Sequence, residues 1–304
     1  MSDSAYTWRG IFPPMVTPLN DRDTLDNEGV HNIVEHILKG GVHGLFILGS
    51  TGEAPGLSHR LQRELVKQVA EQVKDRVPVM VGISDTSFVH SVNLAEHAHE
   101  CGASAVVVAP PFYFPAGQSE LIEYIQHLTE KLHLPLFLYN MPRYTKLSFE
   151  PDTVRELAGI PGIAGLKDSS GSMMYFHRLQ YLLQDNPDFS LLVGPEELLG
   201  EAVLLGAHGG ICGGANLWPE LYVDLYKAAS AGEHENVAKL HAQVMKLSNT
   251  LYSIGRHPSS YLKGLKCALN CIGICSDFMA EPFHKFREPE REEVRKTLKE
   301  AGLL

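Results

Sequence analysis

Short apolar runs alternate along the chain with longer segments whose hydrophobic residues recur at helical spacing. The runs fall at 11–16, 44–48, 77–83, 105–109, 134–138, 163–166, 191–193 and 209–212. Each is too short for a helix of ordinary length and reads as a buried strand. In the segment after the second run, Leu61, Leu65, Val66, Val69, Ala70 and Val73 share one helical face. Ser58 and Ser119 mark the starts of the second and fourth helices, and Gly40-Gly41, Gly102 and Gly206 mark helix ends.

Eight strands alternating with helices over roughly residues 8–230 predict an α/β fold of parallel strands joined by right-handed crossovers. A closed (β/α)8 TIM barrel and a doubly wound sheet both satisfy that pattern. The count of eight favours the barrel, and so does the first run: Thr17-Pro18 follows it, where a dinucleotide fold needs a glycine-rich phosphate turn. The length of 304 residues fits a barrel of about 250 residues with an addition. Strand runs stop near residue 231, and helical patterns near 233–253, 259–272 and 289–301 predict a C-terminal helical extension. We therefore expect a catalytic barrel at 1–230 and a helical domain at 231–304.

The net charge of −10 argues against nucleic acid or an anionic membrane as partner. No run reaches the about 18 apolar residues of a membrane-spanning helix, and the stretch Met1 to Tyr6 carries an acid and no basic region, unlike a signal peptide. Five cysteines in no disulfide-framework spacing fit a reduced, cytoplasmic setting. Cys267, Cys271 and Cys275 stand at i, i+4, i+8. On one helix that spacing is a stripe for packing, with no turn to bend around an ion. The 15 histidines include no H-x-x-x-H pair, so neither a metal nor any other cofactor is expected.

Chemistry in a barrel collects at the carboxyl ends of its strands. The sixth run ends in Lys167, followed by Asp168-Ser169-Ser170-Gly171. A lysine delivered there on a buried strand is partly desolvated, and a neutral amine attacks a ketone to give a Schiff base, an electron sink. The second run ends in Gly49-Ser50-Thr51-Gly52-Glu53, where hydroxyls and backbone N–H groups of a tight turn can converge on a carboxylate. The fifth ends in Tyr139-Asn140-Met141-Pro142, which brings a phenol beside Lys167 on the neighbouring strand, able to move protons. The seventh ends in Gly194-Pro195-Glu196-Glu197; Glu196 is a candidate acceptor for substrate hydroxyls, and Glu197 suits a helix N-terminus. Together these groups suit a 2-oxo acid.

In this order the three motifs Gly49–Glu53, Tyr139–Pro142 and Gly165-Leu166-Lys167-Asp168 resemble the dihydrodipicolinate synthase/N-acetylneuraminate lyase family of pyruvate-dependent Schiff-base aldolases. The opening Gly10–Pro18 and the segment Gly209–Asn216 extend the resemblance over essentially the whole chain. It implies a (β/α)8 barrel with C-terminal helices, and a homotetramer built as a dimer of dimers. It also implies pyruvate or a pyruvate-derived keto acid on Lys167, with Tyr139 transferring protons, Ser50 and Thr51 on the pyruvyl carboxylate, and Ile211 lining the pocket.

Two departures bear on the second substrate. Where the synthases carry an arginine for the aldehyde's carboxylate, two residues past the motif's proline, this chain has Tyr144, with Arg143 one residue off. Where they borrow a tyrosine from a neighbouring subunit, it has Phe112, with Tyr113 adjacent. Gly194–Glu197 and Lys167-Asp168-Ser169 look more like aldolases of 2-keto-3-deoxy sugar acids, although Gly213 stands where sialate lyases have a serine. The expected reaction is reversible cleavage of a 2-keto-3-deoxy acid to pyruvate and an aldehyde. Dihydrodipicolinate synthesis, 4-hydroxy-2-oxoglutarate cleavage and keto-deoxy acid dehydration are alternatives on the same scaffold, and a keto-acid sensor is the non-enzymatic one.

Overall fold

The computed structural model describes residues 8–304; the stretch Met1 to Tyr6, which reads as unlike a signal peptide, lies outside them. Eight strands form one sheet: β1 (Gly10–Ile11), β2 (Leu45–Ile47), β3 (Val79–Gly82), β4 (Ala105–Val108), β5 (Leu136–Asn140), β6 (Ile163–Asp168), β7 (Ser190–Val193) and β8 (Gly209–Gly210). Their order is β1-β8-β7-β6-β5-β4-β3-β2, and every pairing is parallel. The ring closes between β1 and β2, where Met15 N–H donates to the Phe46 carbonyl at 2.8 Å and Phe46 N–H to the Pro13 carbonyl at 3.0 Å. This is a TIM barrel. Of the run at 11–16 only Ile11 joins β1, because Pro13 and Pro14 have no N–H to give the ladder.

Eight helices belong to the alternating part of the chain: α1 (Asn27–Lys39), α2 (His59–Val73), α3 (Phe88–Glu100), α4 (Gln118–Thr129), the short α5 (Pro142–Thr145), α6 (Pro151–Leu157), α7 (Met173–Leu182) and α8 (Leu199–Leu204). They are followed by α9 (Pro219–Ser230), α10 (His234–Thr250), α11 (Ser260–Cys271) and α12 (Glu288–Ala301). Ser58 caps α2 by accepting from Leu61 N–H. Ser119 is not a cap: α4 begins one residue earlier behind Gly117, whose N–H donates to Glu120. The cysteine stripe is also broken. Gly273, with φ of 78°, turns the chain out of α11, so Cys275 lies beyond the helix that carries Cys267 and Cys271.

Period-two alternation divides the apolar residues into two cores. Phe12, Phe46, Met80, Val107, Phe137 and Leu192 fill the barrel interior. Their neighbours Ile11, Ile47, Val81, Val106, Leu138 and Leu191 face outward, and that outer core continues through Leu225 of α9 into Val244, Leu251 and Leu265. One departure from strict alternation decides where the chemistry sits. Leu136 pairs with Ile163, but the next residue, Phe137, pairs with Gly165, so β6 carries one extra residue against β5. Ile163 faces the outer core and Ala164 the interior; strict alternation from there would turn Lys167 outward. The extra residue reverses the parity, leaving Leu166 outside and Lys167 inside. Gly165 makes the slip possible, since a Cβ there would lie 2.4 Å from the Phe137 ring.

A buried ion pair fastens the C-terminal helices to the barrel. Lys266 of α11 meets Glu53, at the end of the turn after β2, at 2.7 Å, with side-chain exposures of 0% and 2%. Lys266 also donates to the carbonyls of Thr17 and Phe278, and the other Glu53 oxygen accepts from Ala280 N–H at 2.8 Å. Lys266→Met would leave the Glu53 carboxylate buried without its cation, so equilibrium denaturation is expected to show a loss of about 3–5 kcal/mol. A loss under about 1 kcal/mol, the size of an exposed pair, would contradict this assignment.

Candidate active site

The carboxyl ends of the strands open into a cavity of about 390 Å³. The register pairs Tyr139 with Lys167 directly across β5 and β6. Lys167 is 4% exposed, and its Nζ stands 4.2 Å from the centre of the Tyr139 ring and 5.0 Å from that of Phe46. Packed against two aromatic rings, the nitrogen is held away from bulk water. The next pair in register, Asn140 and Asp168, points to the other side of the sheet. Asn140 donates to Asp168 at 2.9 Å and accepts from Phe149 N–H, while Ser170 donates to Asp168 through both its N–H and its hydroxyl. Burial raises the Asp168 pKa and these hydrogen bonds oppose the rise. The polar pair behind the sheet thus clamps the two strands whose neighbouring residues face the cavity.

Ser50 and Thr51 come from the turn after β2. Ser50 Oγ lies 3.3 Å from Tyr139 Oη, within hydrogen-bond distance with either hydroxyl as donor. Thr51 Oγ1 lies 3.2 Å from Oη of Tyr261, on α11. Ile211, just past β8, and Glu196, just past β7, complete the wall. The structure thus brings Lys167, Tyr139, Ser50, Thr51, Ile211 and Glu196 to one cavity. Gly49 lines an adjoining hollow of about 430 Å³, against the Phe46 ring.

Glu196 does not have the freedom expected of a hydroxyl-binding residue. Its Oε1 accepts from Tyr222 at 2.6 Å and from Tyr252 at 2.7 Å, and its Oε2 accepts from Gly214 N–H at 2.7 Å. Burial raises its pKa against the effect of those three donors. Glu196 is thereby held by the wall, with three donors from the protein where substrate hydroxyls were expected. Its neighbour Glu197 also lines the cavity and accepts from Ser248 of α10.

Tyr252 and Tyr261 carry no signal in the sequence, being isolated phenols on either side of the break at residues 255–258. They form an edge-to-face pair with ring centres 4.8 Å apart. Burial first, and the charge of Glu196 second, hold both phenols well above their ordinary pKa, so they remain hydrogen-bond donors. Tyr261 also explains Gly213. A Cβ at that position would lie 1.5 Å from Tyr261 Oη, so the phenol occupies the space a larger residue would need.

A parallel barrel whose cavity, at the carboxyl ends of its strands, holds a buried lysine against a phenol defines an enzyme of the barrel class. Comparison with known proteins narrows the class. The model of the dihydrodipicolinate synthetase family matches residues 7–301. The 4-hydroxy-tetrahydrodipicolinate synthase of Methanopyrus kandleri is 32% identical over 298 residues, which cover 97% of each chain. The solved dihydrodipicolinate synthase of Bacteroides thetaiotaomicron is 56% identical, with a TM-score of 0.94 over 96% of this chain and 98% of that one. A prophage protein of the dihydrodipicolinic acid synthase family from E. coli K12, solved in complex with pyruvate, is 28% identical with a TM-score of 0.92, covering 98% of this chain and 100% of that one. This chain belongs to the dihydrodipicolinate synthetase family and is a lyase of the class I aldolase type.

Gly213→Ala is expected to cost about 1–3 kcal/mol, as an overpacked site does. Tyr261→Leu removes the ring in the way, Oη at 1.5 Å and Cζ at 2.7 Å, so a double-mutant cycle read by denaturant unfolding should show the pair well short of additive. Additive losses would mean that Tyr261 does not set the size of residue 213.

Proposed function

We propose that the protein reversibly cleaves a 2-keto-3-deoxy acid to pyruvate and an aldehyde through a Schiff base on Lys167. The observation that carries this reading is the buried amine 4.2 Å from the Tyr139 ring, with Tyr139 Oη in turn 3.3 Å from the Ser50 hydroxyl. The Lys167 amine adds to the 2-oxo carbon and water leaves, giving an iminium. Tyr139 then accepts the proton of the C4 hydroxyl as the C3–C4 bond breaks, the aldehyde departs, and the electrons rest in an enamine. Protonation at C3 and hydrolysis release pyruvate and free the lysine. Ser50 relays the proton to and from Tyr139. Ser50 and Thr51 hold the pyruvyl carboxylate; Tyr261, kept protonated by its raised pKa, is placed to donate to Thr51 and leave the Thr51 hydroxyl proton for that carboxylate.

For the second substrate we propose a neutral, hydroxylated aldehyde. Tyr144, at the cavity mouth, supplies no cation at the position where the synthases carry arginine, and an unpaired carboxylate in a partly desolvated site is costly. With Glu196 engaged inside the wall, Glu197 and Ser248 are the better candidates to meet the aldehyde's hydroxyls. A second reading, dihydrodipicolinate synthesis, draws on Arg143, which lines the same cavity, and on the names of the relatives. The proposal includes a cytoplasmic homotetramer. Its support is five free cysteines and the exposed aromatics Tyr113 and Phe114 on the loop after β4, while one related structure is a monomeric variant. No helix among the described residues is long and apolar enough to cross a membrane.

The deciding experiment compares kcat/KM for condensation of pyruvate with four aldehydes. Glyceraldehyde and glycolaldehyde are expected to outpace aspartate semialdehyde and glyoxylate. A clear preference for aspartate semialdehyde would establish the synthase reading, and one for glyoxylate a 4-hydroxy-2-oxoglutarate aldolase.

A further inference from the structure

Two histidines that sequence spacing leaves 31 residues apart meet on the surface of the barrel. His59 is the first residue of α2 and His90 the third of α3, and Asp85 lies in the connection from β3 to α3. Asp85 Oδ2 is 2.9 Å from His59 Nε2, and that same Nε2 is 2.9 Å from His90 Nδ1. All three atoms lie within 4.8 Å of one another. The other Asp85 oxygen accepts from Ser87 N–H at 2.7 Å, which fixes the carboxylate with Oδ2 toward the imidazoles. None of the three residues lines the cavity that holds Lys167.

With neutral imidazoles, protons alone satisfy this arrangement poorly. If His59 Nε2 carries its proton, it can donate fully to Asp85 or to His90, or weakly to both. If Nε2 is bare, His90 can donate to it, but the Asp85 oxygen then faces a lone pair at hydrogen-bond distance. A cation removes the conflict once the imidazoles turn their lone pairs toward it, because it accepts all three donors at once. Tetrahedral zinc with ligand bonds of about 2.0–2.2 Å sets its ligand atoms roughly 3.3 Å apart. On binding, the two 2.9 Å separations would widen by a few tenths of an ångström, the third pair, within 4.8 Å, would settle to the same spacing, and the imidazoles, now edge to face with ring centres 4.0 Å apart, would swing open. Two imidazole nitrogens and one carboxylate oxygen select a late first-row divalent ion over magnesium or calcium, which prefer all-oxygen sites.

We propose that His59, Asp85 and His90 form a binding site for one divalent transition-metal ion, with zinc as the reference ion and water in the open position. The ion would tie the start of α2 to the start of α3. The proposal is independent of the Schiff-base reading, since no residue of the site takes part in that chemistry.

The test is calorimetric titration of the full-length, tag-free protein with zinc alone, and separately the visible spectrum of the protein loaded with cobalt(II). The wild type is expected to bind one ion per chain and to give the intense d–d bands of a low-coordinate nitrogen–oxygen site. His59→Asn, His90→Gln and Asp85→Asn should each weaken binding by about tenfold or more, at least the loss from altering a ligand's support. Their melting temperatures in chelator should match the wild type, because the three side chains sit at or near the surface. Absence of stoichiometric binding by the wild type would overturn the proposal. So would binding that survives all three substitutions, which would place the ion elsewhere.

Discussion

The buried pair between Lys266 and Glu53 is the constraint on which the site's construction rests. It lies under the turn that carries Ser50 and Thr51, and its cation comes from α11, a helix outside the eight-fold repeat. A carboxylate and an ammonium removed from water must be paired and fully hydrogen-bonded, and here both are: Lys266 donates also to two carbonyls, and Glu53 accepts also from a backbone N–H. Glu53 holds the left-handed conformation, with φ of 56°, that ends the turn. Helix α11 also carries Tyr261 to Thr51, so the position of Ser50 and Thr51 is set from two sides: the barrel turn itself, and the C-terminal helices. Glu196 is likewise held from the C-terminal side of the chain, by the phenols of Tyr222 of α9 and Tyr252 just past α10.

Lys167 depends on a different constraint, the parity of a strand. Ile163 faces outward, so the lysine four residues later would face outward as well in an unbroken strand. The extra residue in β6 turns it into the barrel, against Tyr139 and Phe46. Deleting one residue near Ala164 would therefore exchange the environments of Leu166 and Lys167, sending an amine into the outer apolar core. The apolar interior and the cavity chemistry are two consequences of the same register.

Much of this was legible in the sequence because it is encoded locally. Eight apolar runs gave eight strands, and the motifs at 49–53, 139–142 and 165–168 each sit at a strand end, where a barrel gathers its functional groups. The features that escaped are those that need two distant segments. Tyr261 and Gly213 are matched in shape across 48 residues, which neither residue reveals alone. Glu196 reads as a free acid until Tyr222, Tyr252 and Gly214 are seen around it. His59 and His90 have no shared helical spacing, yet two helices that start side by side bring them together. Smaller misreadings were local. Ser119 reads as a cap, a place that Gly117 occupies, and Gly273 ends the helix before Cys275.

The central claim is that Lys167 is the amine that forms the Schiff base, and one chemical experiment addresses it without relying on turnover. The protein is reduced with borohydride in the presence of pyruvate, digested, and mapped by tandem mass spectrometry. The account predicts a single pyruvyl adduct, on Lys167, absent when pyruvate is omitted. An adduct on a different lysine, or none at all, would contradict it.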